Sequence, residues 1–64
     1  MPSGATNAFV IYRATDGQYY FVIKGGNSEV LMTSETYTRK ESAENGIRAV
    51  KQTAPNALVV DMTV

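Results

Sequence analysis

Residues 8–24 read Ala-Phe-Val-Ile-Tyr-Arg-Ala-Thr-Asp-Gly-Gln-Tyr-Tyr-Phe-Val-Ile-Lys, and the order of residue types here sets the architecture. Two β-branched and aromatic runs, residues 7–13 and 18–24, flank Ala14-Thr15-Asp16-Gly17. Asp-Gly between such runs is a strong hairpin signal, because glycine reaches the positive φ that tight hairpin loops demand. Side chains alternate across a strand, so Phe9 and Ile11 share one face of the first run. In the second, Tyr19, Phe21 and Ile23 lie opposite Tyr20, Val22 and Lys24. Gly25-Gly26-Asn27-Ser28 supplies residues tolerant of positive φ for another turn. Residues 29–33, with Val30, Leu31 and Met32, complete a three-stranded antiparallel meander.

The period then changes from two to 3.6. Ala43, Gly46, Ile47, Val50 and Ala54 fall on one helical face. Thr38-Arg39-Lys40-Glu41 has the form of a capping box, with Thr38 at the N-cap and Glu41 reaching back to its amide. Glu44 and Arg48 have the spacing of an ion pair on the outer face. Pro55 ends the helix, since proline disfavours the α conformation in the residue before it. Residues 57–64 alternate again, with Leu58, Val60, Met62 and Val64 on one side. The expected fold is α+β in the order β-β-β-α-β. Residues 1–6, small and polar, form a flexible N-terminal tail, and residues 7–64 form one domain.

Size bears on assembly. A 64-residue chain buries only about 60% of its unfolded surface, and domains near this limit lean on disulfides, metals or a partner subunit. Cysteine and histidine are absent, which removes disulfides and leaves metals few ligands. A helix about 10 Å wide covers two strands spaced about 4.8 Å apart, so a four-stranded sheet keeps apolar surface to spare. A short hinge at Ala54-Pro55-Asn56 favours handing the last strand to a neighbour. On geometry alone, a strand folding back onto its own sheet is an equal alternative.

The same composition excludes much chemistry. Nucleophilic triads and imidazole acid–base catalysis have no residues to work with. Among the carboxylates, Asp16 forms a turn, Glu41 a cap and Glu44 an ion pair. Glu29, Glu35 and Asp61 remain, on a chain too short for the cleft that paired-carboxylate catalysis requires. Gly25-Gly26 lacks the following helix of a phosphate-binding loop. No cofactor is expected, and the chain is not expected to be an enzyme. No apolar run approaches the roughly 20 residues of a membrane span, and no signal peptide is visible, so a cytoplasmic protein without membrane partners is expected.

Two binding possibilities remain. Arg39 and Lys40 in the first helical turn oppose the helix dipole, and with the exposed amides there, beside Tyr37, they form a candidate anion contact. Tyr12, Tyr19, Tyr20, Tyr37 and Phe21 with Lys24 are the residue types on which single-stranded nucleic acid stacks. A formal charge of zero and a pI near 6.1 weigh against nucleic acid as a partner. Gly46 costs about 1 kcal/mol relative to alanine in a helix. Its inward position implies a close approach to the sheet over Phe21 or Tyr12, with Asn45 free to bond a strand end or turn.

Phe9-Val10-Ile11-Tyr12, Gly17-Gln18-Tyr19-Tyr20-Phe21, Thr33-Ser34-Glu35-Thr36-Tyr37 and Glu44-Asn45-Gly46-Ile47-Arg48-Ala49-Val50-Lys51 together resemble the YegP-like family of small bacterial proteins of unknown function. Two departures, Gly26-Asn27-Ser28 for the usual Asn-Gly and Thr36 for a frequent glycine, touch only loops. The resemblance implies a β3-α-β unit, found in tandem or singly. Single copies look like homodimers with one continuous sheet and exchanged C-terminal strands. Leu58, Val60, Met62 and Val64 then become the expected dimer interface, and a second copy the expected partner. No activity and no catalytic residue come with the resemblance. The functional expectation is a non-catalytic binding or accessory module, with anion or nucleic-acid binding at the helix N-terminus as the alternative.

Overall fold

The computed structural model describes residues 7–63. Three strands, β1 (Ala8–Arg13), β2 (Tyr19–Lys24) and β3 (Val30–Thr33), precede one helix, α1 (Lys40–Thr53). The sheet is antiparallel in the order β1-β2-β3. The expected tail at residues 1–6, and Val64 of the expected interface, lie outside the described residues.

The first hairpin forms as its sequence demands. The Ala14 amide donates to the Gln18 carbonyl at 2.7 Å, and Gly17, at φ +88°, donates to Ala14 at 3.0 Å. Asp16 accepts from the Gln18 amide at 3.0 Å through its side chain, a local bond that stabilises the turn. The second turn differs from expectation. Its positive φ values fall on Asn27 (66°) and Ser28 (63°) rather than on either glycine. Gly25 is extended (φ −86°, ψ −176°) and buried against Leu31, because the chain must first pass that side chain.

β2 is paired well beyond β3. Ser34 donates its amide to the Phe21 carbonyl, and its hydroxyl accepts the Phe21 amide, each at 2.9 Å. Tyr19 and Tyr37 then exchange two backbone bonds of 2.7 Å. The hydroxyl of Ser34 thus replaces a ladder carbonyl where the chain bends away, so no buried donor on the central strand is orphaned.

The helix lies over β1 and β2. Phe21 is 1% exposed and Ala43 fully buried, while Gly46, Ile47 and Val50 are half-buried and Ala54 is exposed. A row of rings fills the interface. Phe9 and Phe21 have centroids 6.3 Å apart and tilted, and Phe21 and Tyr37 are 6.3 Å apart and nearly parallel at 9°. Gly46 does make the close approach, over Phe21 and Tyr37 and not Tyr12: a Cβ there would lie 3.0 Å from Phe21 Cε2 and 2.8 Å from Tyr37 Oη. With the helix over two strands, all four β3 residues remain exposed. On the reverse face Val22 is buried too. Its cover comes from within the sheet, where Tyr12 stacks on Tyr20 and Lys24 reaches to 5.8 Å from the Tyr12 ring.

Three local expectations are corrected. The N-cap is Arg39 (φ −121°, ψ 143°), with no side-chain cap bond, so the box with Thr38 does not form; α1 starts a residue late for it. Arg48 donates to Asn45 Oδ1 at 2.7 Å, one turn back on the same helix, in place of Glu44. Asn45 is thereby occupied on the helix surface and does not reach a strand end or turn.

After α1 the chain turns at Ala54–Asn56 and runs out as an exposed arm, residues 57–63, that pairs with no strand of its own chain. The radius of gyration is 13.8 Å, against about 11 Å for a compact chain of this length.

Candidate functional site

The arm carries the largest apolar exposure among the described residues. Leu58 is 88% exposed, Val59 96%, Val60 71% and Met62 82%. Single exposed apolar residues are ordinary, but four in five consecutive positions make a contiguous patch, which marks an interaction surface. The arm is extended because Pro55 ends the helix and no residue after it resumes the helical period. Alternation places Leu58, Val60 and Met62 on one side and Val59, Asp61 and Thr63 on the other. The amide and hydroxyl of Thr63 both donate to Asp61 Oδ1. The hydroxyl bond first, then the amide bond, hold the Asp61 carboxyl below its ordinary range, since hydrogen bonds to a carboxylate favour its charged form.

Beside the body of the fold, an open cleft of about 680 Å³ runs along the free side of β1. Phe9, Ile11 and Arg13 line it from the strand, Tyr19 from β2, and Lys40 and Glu44 from α1. A smaller one, about 490 Å³, opens at the other end of the helix between Phe9, Ile23, Ile47 and Lys51. Both exist because β1 is an edge strand beneath a helix that overhangs it.

The residues singled out from the sequence do not gather in one place. Leu58, Val60 and Met62 share the arm. Arg39 and Lys40 are exposed at the helix start, with Lys40 turned to the β1 cleft. Tyr37 stacks on Phe21 with its hydroxyl against Gly46, which commits its ring to the interior rather than to the two cations. The tyrosine strands are similarly engaged: Tyr12 and Tyr20 stack at 5.6 Å, and the Arg13 guanidinium lies 5.4 Å from the Tyr19 ring. Glu29, Glu35 and Asp61 sit on three separate segments. Among the described residues no group of three or more His, Cys, Asp or Glu is placed to hold a metal ion, and no helix is long and apolar enough to cross a membrane. Sequence reasoning missed the cleft of Ile11, Arg13, Lys40 and Glu44. The alternation of β1 was visible, but its status as an edge depends on the arm staying off it.

A domain of unknown function, DUF1508, matches residues 14–61. The chain belongs to that family. It is 54% identical over 44 residues to a UPF0339 protein of Acinetobacter baylyi, covering 69% of this chain and 40% of that one. It is 47% identical over 47 residues to the UPF0339 protein YegP of Escherichia coli K12, covering 73% and 43%. The matched segment thus spans less than half the length of these curated relatives. Its fold is similar to the NMR solution structure of a protein from Haloferax volcanii, with a TM-score of 0.79 and 28% identity over 88% of this chain and 95% of that one. The YegP-like resemblance carried by the four motifs is therefore shown, as is the α+β fold of three antiparallel strands and a helix.

Proposed function

We propose that this DUF1508 chain is a homodimeric, non-catalytic binding or accessory module, joined by exchange of its C-terminal arms. The exposure of Leu58, Val59, Val60 and Met62 on an arm unpaired within its own chain carries this reading. Two arms would bury six large side chains on their apolar sides, at about 1.5–3 kcal/mol each. The sum matches or exceeds the roughly 4–15 kcal/mol that association costs, before any ladder bonds are added. The relatives, more than twice the matched length, have room for a second copy within one polypeptide, which supports the same two-unit arrangement. Removing residues 57–64 is expected to abolish association or unfold the chain in sedimentation and circular dichroism experiments. A truncated chain that stays folded and dimeric would remove the arm from the joint.

A second reading is favoured by the uncapped helix start. With Arg39 at the N-cap and no side-chain bond there, the Lys40 and Glu41 amides are open to an anion, flanked by two exposed cations. Phosphate titration should shift NMR signals of residues 38–42, and Arg39→Ala with Lys40→Ala should remove the shifts. No shift in the parent protein retires this reading.

A further inference from the structure

Two sheet edges are open to an arm, and they are not equivalent. The amides of Tyr19, Phe21 and Gly25 bond Tyr37, Ser34 and Glu29, all away from β1. Backbone direction alternates along an antiparallel strand, so Tyr20, Val22 and Lys24 face β1, where their register partners are Tyr12, Val10 and Ala8. The backbone groups of Phe9, Ile11 and Arg13 therefore point outward, at regular spacing, along six uninterrupted residues. The β3 edge offers four residues beside a register shift at Ile23/Lys24, and irregularity of this kind disfavours strand addition. Cover differs as well. The helix overhangs β1, whereas at β3 an added strand would keep its apolar side in water. Charge agrees, since the β1 cleft holds Arg13 and Lys40 against Glu44 alone, and the arm carries Asp61 as its single charge.

We infer that the β1 edge, under the N-terminal half of α1, receives residues 57–63 of a second copy, with Leu58, Val60 and Met62 turned beneath the helix toward Phe9 and Ile11. This rests on the dimer reading above and names the surface it uses. The arm completes a four-stranded layer in each protomer, and the β3 edge stays free.

The chain has no cysteine, so Thr63→Cys takes a single nitroxide label, and labelled unenriched chain is mixed with untagged nitrogen-15 chain. The inference requires amides of residues 9–13 in the untagged copy to lose intensity several-fold more than those of residues 30–33, the effect vanishing on reduction of the nitroxide. Hydrogen exchange on the unmodified chain gives a second reading, with Phe9, Ile11 and Arg13 amides at least tenfold slower than an open edge allows. Broadening centred on residues 30–33 in a dimeric sample would overturn the edge assignment and leave the dimer standing. A mass of one chain by light scattering, with no broadening between copies, would overturn both.

Discussion

Gly46 marks the closest approach of helix to sheet, and its side-chain-free surface is a packing requirement rather than a conformational one. Alanine would gain about 1 kcal/mol of helix propensity, yet its Cβ would stand 2.8 Å from Tyr37 Oη and 3.0 Å from Phe21 Cε2. Overpacking of this kind costs about 1–3 kcal/mol, so Gly46→Ala should destabilise by about 1 kcal/mol in urea unfolding. Adding Tyr37→Phe removes the nearest atom and should recover part of the loss, a coupling read from the double-mutant cycle. Stabilisation by Gly46→Ala alone would mean that the rings have room to give. Ser34 has a comparable structural duty. Ser34→Ala strips the acceptor from the Phe21 amide beside the most buried large side chain, at a cost of about 1–3 kcal/mol. The inward position of Gly46 was legible from helical period. That Tyr37 packs against it was not, because a lone tyrosine before a helix carries no periodic signal of which way its ring turns.

Periodicity accounts for most of what could be read of the strands and helix. The change from alternation to a 3.6-residue repeat placed β1, β2 and α1 within a residue or two of where they lie. The errors are at junctions, where one bond decides. Thr38 and Glu41 satisfy the capping-box pattern, but the chain enters α1 through Arg39, whose long cationic side chain supplies no acceptor to the free amides. Thr38→Ala should therefore change stability by less than about 0.5 kcal/mol. Arg39→Asp should add about 1 kcal/mol by supplying a cap and a favourable charge at the positive end of the helix, raising the thermal midpoint. A drop instead would show that Arg39 makes a stabilising contact of its own. The second turn was misjudged for a related reason: glycines mark where positive φ is cheap, and here Asn27 and Ser28 adopt it while Gly25 packs against Leu31. Residues 57–63 have the alternation of a strand and the extended backbone of one, but pairing is a property of two segments and the second is not supplied by this chain.

Taken entire, the polypeptide has a small core under α1, rings and cations paired across the outer sheet face, and an apolar arm projecting from both. The candidate site was half visible for the same reason. The apolar alternation of Leu58, Val60 and Met62 stands in the sequence, while the cleft that would receive it arises only when α1 settles over β1 and leaves the Phe9, Ile11 and Arg13 backbone groups facing outward. Burying the arm in a second copy satisfies the exposed side chains and the open edge together, and that is the central claim. Multi-angle light scattering of the intact chain at micromolar concentration tests it most directly. The predicted result is a mass of twice the 7.0 kDa chain; a single 7.0 kDa species across that concentration range would contradict it.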